Sequence, residues 1–494
     1  MPDQSGQLTL KSLQEAVRSA AAFRLRAKLS GAGGDGDKVF PPTYVGGVYA
    51  VEDRRIDGKV VRCALLDSVQ SQANRLEELL LDAFLPNWRE LDAGDTNDTS
   101  CDLPVLAVHI DNHGWVTSLT APHRIHDAII RDSEIKEGAD GQQAKVRFRD
   151  STIGKKIVGA RLHAATALYK YCPTALIFGT WDSTAGEGLD SAKIPRAVVS
   201  EIIGVDITPG VRTASRIDPL GIRAQSATVY RLKDREDDWT LDETQAAVTE
   251  KGEKKKFGKK GKPSDINHGN VTPYMPRFDE KEVRKQNLGR LPDILESTPL
   301  ELRYELCSGD GRIENRSAFR SDDVRIRPGA VKPGGITMAY ALHTWTLSLT
   351  QLRRLRFPPA PANHPSSGSA ASPESDRDDS ARTVLAAVAL YALALQQEKG
   401  YWLRSRCELV PEGSVALELI GGSGGSFSLG TAQVMRDVVN KAIQAATRSD
   451  LAWSQTVTRL APTEKLQELV RASDARGPEP EEEEEETADA GAES

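Results

Sequence analysis

The hydrophobic run Val60 to Leu66 ends at Asp67-Ser68, and there the spacing of apolar positions changes. Val69, Ala73, Leu76, Leu80 and Phe84 recur at helical intervals, which predicts one buried helix face. Gln70, Ser71, Asn74, Arg75 and Glu78 fall on the opposite face, with Leu81 breaking the polar stripe. Amide, hydroxyl and guanidinium groups beside the free N–H groups of a helix start are suited to a run of phosphates. An ordinary surface helix capped at Asp67 or Ser68 accounts for the same pattern, and Asp67 itself would weaken an anion site.

The same rhythms place the other elements. Leu10 to Leu29 reads as a first helix with a capping box at Ser12 and Glu15. Gly47 to Ile56 and Lys59 to Leu66 form a hairpin about Asp57-Gly58. Leu103 to Ile110 is a strand and Pro122 to Ile135 a helix. Pro173 to Trp181 and Ala197 to Ile207 are apolar runs expected as buried strands. Ile336 to Leu349 is a long strand leading to a basic helical turn, Gln351 to Arg356. Thr383 to Gln397 is a core helix stopped near Gly400, and Tyr401 to Val410 and Val415 to Ile420 are strands. Thr431 to Thr447 is a last amphipathic helix. This order has no strict βαβ repeat, which favours α+β.

Composition changes the picture in two places. The net charge is −7 over 494 residues, but Gly477 to Ser494 holds nine acids and no base, so the remainder carries +2. A mildly basic body removes the objection that the chain repels phosphate. Lys251 to Lys262, with seven lysines and three glycines in twelve residues, is expected as a basic loop, either merely solvated or a polyphosphate-contacting arm. Five scattered cysteines form no C-x-x-C pair, which fits a reducing cytoplasm. No signal peptide is read at the start. The most apolar stretch, Val384 to Leu395, is shorter than the roughly 20 residues a bilayer demands.

Enzyme motifs fail on context. The glycines Gly31, Gly33 and Gly36 follow a predicted helix and precede Pro41-Pro42, which excludes a dinucleotide turn. Gly421 to Gly425 matches G-x-S-x-G, but no histidine follows His364 to complete a hydrolase triad in chain order. Its glycines are read as allowing close backbone approach to another element or to a phosphate. His109, His113, His123 and His126 leave open a metal-dependent phosphohydrolase as the alternative function. A plain protein-interaction module with an acidic tail is a third reading. No cofactor is called for.

Several strings together carry a resemblance. GDKVFPPTY (Gly36 to Tyr44), LLDSVQSQANRLE (Leu65 to Glu77), APHRIHDAIIRDS (Ala121 to Ser133), CPTALIFGTWDS (Cys172 to Ser183), TASRIDPLGI (Thr213 to Ile222) and LRRLRFP (Leu352 to Pro358) are similar to the CRISPR-associated backbone subunit of type I surveillance complexes. The variant resembled is that of subtype I-G, formerly I-U, in the RAMP superfamily. The resemblance implies an RRM-like, ferredoxin-like palm with finger insertions and a thumb hairpin. It divides the chain into a palm with finger and thumb insertions over 1–357, including the Lys-rich loop 251–263. A disordered insertion at 358–381 follows, then the rest of the palm with a Gly-rich loop at 382–473, and a disordered acidic tail at 474–494.

The same resemblance implies a non-catalytic, cytoplasmic protein that oligomerises along crRNA in antiviral defence. Its partners would be crRNA, target DNA through the guide, further copies of itself, and the guide-end-capping and large subunits, with no membrane. By resemblance Ser68, Gln70, Ser71, Asn74 and Arg75 would lie on guide phosphates. Gly421, Gly422, Gly424 and Gly425 would form the glycine-rich loop, and Arg212 and Arg216 would lie at the thumb. Lys38, Arg54 and Arg55 join the RNA-binding set from local chemistry. A subunit that accepts any guide should contact phosphate and sugar rather than base edges.

Overall fold

The computed structural model describes residues 6–44, 48–91, 99–137, 144–182, 193–211, 227–249, 252–258, 261–263, 266, 333–359, 374–413 and 415–476. They form two compact units, one of residues 1–207 with 338–494 and the other of residues 208–337. The chain is mixed in α and β, with several sheets.

The first half runs β1 (Gly6–Gln7), α1 (Leu10–Ser19), β2 (Ala22–Gly31), β3 (Val51–Ile56), β4 (Lys59–Asp67) and α2 (Val69–Phe84). Then come β5 (Leu106–Ile110), β6 (Gly114–Thr117), α3 (Ala128–Arg131), β7 (Glu134–Glu137), β8 (Ala144–Arg147), α4 (Thr152–Val158), α5 (Thr166–Tyr171) and α6 (Thr174–Phe178). Strands β9 (Thr180–Trp181), β10 (Lys193–Ile194) and β11 (Val198–Val211) follow, and β12 (Tyr230–Leu232) and β13 (Arg235–Thr240) belong to the second unit. The chain continues with β14 (Pro333–Ser348), α7 (Leu349–Leu352), α8 (Glu374–Lys399), β15 (Tyr401–Arg404), β16 (Cys407–Pro411), β17 (Leu417–Ile420), β18 (Gly425–Ser428), α9 (Ala432–Arg448), β19 (Thr458–Leu460) and α10 (Glu464–Arg476).

The main sheet has the order β1-β18-β17-β2-β14-β11-β4-β3, and the β15–β16 hairpin joins β2 through β16. Strand β2 explains how its two faces differ. Phe23, Leu25, Ala27 and Leu29 are buried, while Arg24, Arg26 and Lys28 between them are exposed. Its neighbour β14 keeps the same parity, with the fully buried Trp345 opposite Leu25 and Thr346 opposite Arg24. The apolar face meets helices α2 and α8, since Ser200 of β11 and His343 of β14 reach side chains on or beside them. Helix α8 is buried continuously from Val384 to Ala392, apart from small exposure at Tyr391, because it is apolar all round and contacts α1, α2 and α9.

Several expected elements take a different form. The first helix ends at Ser19, not Leu29, because F-R-L-R-A-K-L from Phe23 has a period of two and is strand β2. The helix is capped by Thr9, whose side chain shares a capping box with Ser12, rather than by Ser12 with Glu15. Pro173 to Trp181 is mainly helix α6, ending at Gly179 with φ +83°, and only Thr180–Trp181 is strand. Pro122 to Ile135 is broken into a 3-10 turn, the short helix α3 and the start of β7. The helix at Thr383 begins earlier, at Glu374, which shortens the insertion expected over 358–381, and residues 360–373 lie outside the described residues.

In the second unit the described part of the lysine-rich string is built into β-structure. Lys256 bridges Tyr230 and Lys254 bridges Val248, beside the β12–β13 hairpin. Backbone pairing here needs only N–H and C=O groups, so Lys254 and Lys256 keep exposed side chains. The tail 477–494, Arg212 and Arg216 lie outside the described residues.

Candidate nucleic-acid interface

The predicted helix start is present, with Ser68 as its N-cap accepting from the Ser71 N–H at 3.2 Å. Its centre is Asp67, whose side chain is entirely buried. A carboxylate in that position requires donors on both oxygens. Ser71 Oγ donates to Oδ1 at 2.7 Å, and Gln72 Nε2 and Arg75 Nε donate to Oδ2 at 2.6 and 2.9 Å. Arg404 Nη2 reaches Oδ1 at 3.4 Å. Arg75 also donates to the carbonyls of Trp402 and Leu403. The donor row therefore divides. Gln70 and Asn74 are exposed, while Ser71 and Arg75 turn inward to Asp67 and keep only part of their surface in water.

Behind Asp67 runs a buried chain of hydrogen bonds with a defined direction. Gln72 gives its amide N–H to Asp67, so its Oε1 accepts from Ser200 Oγ at 2.8 Å and from Gln396 Nε2 at 3.0 Å. Ser200 has one proton, so His343 Nε2 donates to Ser200 Oγ at 2.9 Å and Nδ1 accepts from the Tyr401 hydroxyl at 3.3 Å. Burial pushes the His343 pKa down to about 3, so the ring is neutral and Nδ1, carrying no proton, is the acceptor.

The surface beside Arg75 is completed by segments distant in sequence. Phe40 N–H donates to Arg406 O at 3.0 Å, and the Arg406 guanidinium lies 4.4 Å from the centre of the Phe40 ring. Arg404 Nη1 reaches Phe40 O at 3.5 Å. The turn of the β15–β16 hairpin thus joins the segment carrying Lys38, which is half-buried, to the start of α2. Trp402 in the same hairpin is 64% exposed, large for so apolar a side chain. Trp402, Arg404 and Arg406 were absent from the sequence-derived set. The signal available was the string W-L-R-S-R around a hairpin turn.

The remaining expected residues are dispersed. Arg54 sits on β3 and forms a two-pronged bond with Glu201, with Glu52 as a further partner, so carboxylates already balance its charge. Arg55 is exposed and donates to Gly58 O at 3.0 Å across its own turn. Gly421, Gly422, Gly424 and Gly425 form the β17–β18 turn, all with positive φ. A Cβ on Gly421 would lie 3.2 Å from Ala21 N, and one on Gly422 would lie 3.2 Å from Ser19 Oγ. Two of the glycines therefore serve close approach to the α1–β2 turn.

A second buried centre joins three of the resembling strings. Arg124 gives Nε and Nη2 to the two oxygens of Glu77 at 2.7 and 2.6 Å, and Nη1 to Gly179 O at 3.3 Å. Burial raises the Glu77 carboxyl to about 7, against the lowering effect of Arg124. The four histidines have different neighbours. His109 packs edge-on to Trp115, His113 pairs with Asp474 at 3.1 Å, and buried His126 faces Asp182 at 3.9 Å. His123 caps nothing through its side chain, and its backbone N–H donates to Asp127. Among the described residues no three His, Cys, Asp or Glu side chains are grouped to hold a metal ion.

Residues 23–209 match the family described as CRISPR-associated protein GSU0053 (Cas_GSU0053). The match indicates a CRISPR-associated protein. It supports a role in CRISPR defence and membership of a CRISPR complex. The matched stretch runs from β2 to β11 and contains both the Asp67–Arg75 and the Glu77–Arg124 centres. No curated protein matches the chain. Among the described residues no helix is long and apolar enough to cross a membrane.

Proposed function

We propose that this CRISPR-associated protein is a non-catalytic backbone subunit of a type I surveillance complex, of the kind found in subtype I-G, and that several copies grip one crRNA by its sugar-phosphate strand. The observation that carries this reading is the surface at the start of α2. Exposed Gln70 and Asn74 stand beside Arg75 and Arg404, two guanidinium groups that share the single carboxylate of Asp67. One carboxylate against two guanidiniums leaves a net positive charge in a fixed position. The donors present suit phosphate and ribose, which every guide offers alike.

The strand order supports the palm-like reading. In β17-β2-β14-β11 the chain runs strand β2, helix α2, strands β11 and β14, helix α8 and strand β17, the connectivity of a ferredoxin-like βαββαβ unit. The β3–β4 hairpin is inserted before α2 and extends the edge beyond β11.

Expression together with a CRISPR array tests the proposal. RNA of defined length should co-purify, and its retention should fall steeply with salt and be indifferent to guide sequence. Absence of RNA, or RNA retained undiminished when Gln70, Asn74, Arg404 and Arg406 are all changed to Ala, would refute it. A phosphohydrolase using His109, His113, His123 and His126 would instead show stoichiometric metal and cleavage lost in His126→Ala.

A further inference from the structure

The side of the main sheet away from α2 and α8 carries its own pattern. Along β2, Arg24, Arg26 and Lys28 are exposed at every second position. Cross-strand register sets Thr346 beside Arg24, Thr344 beside Arg26 and Leu342 beside Lys28. On the other edge of β2, Ser30 pairs with Val410, and Trp402 pairs with Glu408, two residues before Val410, so these side chains project to the same side. Towards β4 the same side is closed by an apolar cluster of Cys63, Ile203, Val205 and Leu342, against which Tyr340 packs. Lys28 Nζ lies 4.4 Å from the Tyr340 ring centre. Arg24 is balanced by Glu418 at 2.6 Å, whereas Arg26 has no ion-pair partner among the described residues.

We propose that this strip of sheet is a second binding site for a single-stranded polynucleotide, held by its phosphates along β2 and separate from the strand gripped at α2. Alternate residues of a strand are about 6.6 Å apart, close to the phosphate repeat of an extended single strand. Arg26 and Lys28 supply the charge, and the Thr344 and Thr346 hydroxyls donate beside them. Tyr340 at one margin and exposed Trp402 at the other offer rings for stacking, which tolerates any base. Glu408, the Arg24–Glu418 pair and exposed Glu412, whose backbone N–H donates to Lys28 O at 2.9 Å, border the strip and confine the strand, since a strand lying across a carboxylate meets repulsion.

The inference stands beside the reading of the α2 surface and rests on it only for the word second. The full chain is tested with labelled single strands of mixed sequence, one RNA and one DNA, by anisotropy at several salt concentrations. Arg26→Gln with Lys28→Gln should weaken binding of the strand that occupies this strip at least tenfold. The salt slope should fall by about 0.7 for each cation removed. Lys11→Gln with Lys441→Gln, exposed on helices α1 and α9, should leave both unchanged. Which of the two arms responds identifies the strand as RNA or DNA. Photo-crosslinking of the same strands should mark Tyr340 or Trp402.

Unchanged affinity and slope in the Arg26/Lys28 variant, or crosslinks confined to other segments, would overturn the proposal. So would loss of binding to a polyglutamate peptide with oligonucleotide binding intact, which would assign the strip to an acidic protein. Failure of the α2 reading appears elsewhere, as the absence of co-purified RNA, so the two can fail independently.

Discussion

Arg75 Nε lies 2.9 Å from Asp67 Oδ2, and that carboxylate is wholly buried while 30% of the Arg75 side chain meets solvent. The pair therefore links the interior to the surface. Removing the carboxylate frees two arginines, but removing one arginine leaves a buried charge short of a donor. Asp67→Ala should cost about 3 kcal/mol, read from the urea midpoint. Asp67→Asn with Arg75→Gln should cost less than the sum of the single changes, because the two side chains are directly coupled.

Among the described residues Gln70 and Asn74 make no such internal bond, and both are exposed. Gln70→Ala with Asn74→Ala should leave the unfolding midpoint within about 0.5 kcal/mol of the parent. RNA retention should nevertheless drop, equally for unrelated guides. Arg404→Ala should lower both quantities, since Arg404 serves Asp67 and the surface together.

His343 gives stability a pH dependence of known sign. Its pKa is lowered from 6.5 to about 3 by burial. Between those values the unfolded chain takes up a proton that the folded chain refuses, so stability rises with pH. It should be fully present above about 6.5 and decline on acidification towards 3. His343→Phe should flatten that part of the profile, measured as urea midpoints at a series of pH values.

The Glu77–Arg124 pair is buried on both sides, with side chains 1% and 10% exposed. Arg124→Ala should destabilise by about 3 to 5 kcal/mol. Arg124→Lys should recover little of this, because a lysine cannot supply both Glu77 oxygens and the Gly179 carbonyl from one planar group. Thermal melting of the three proteins checks the order.

Gly422, with φ +62° and Ser19 Oγ 3.2 Å from where a Cβ would sit, should resist replacement. Gly422→Ala should cost about 1 to 2 kcal/mol from backbone conformation alone. Gly424→Ala has open space and should show only the backbone part, a contrast visible in paired denaturation curves.

Local patterns in the chain determined a good deal. The change of period at Asp67-Ser68, the Asp57-Gly58 turn, the long strand β14 and the all-apolar core helix α8 were each legible, because each is a matter of neighbouring residues. A short apolar run was not: Pro173 to Trp181 holds the same residue types whether wound or extended, and packing made the choice. Strand β2, with its row of Arg24, Arg26 and Lys28, was hidden behind the helical stretch that it directly follows, although its period of two begins at Phe23. What only the tertiary structure decided was where the charges point. Asp67 and Arg404 are 337 positions apart, and no spacing rule connects them. The helix start carries the predicted donors, yet a buried carboxylate claims Ser71 and Arg75, since an ionised group inside a protein recruits whatever donors the fold brings within reach.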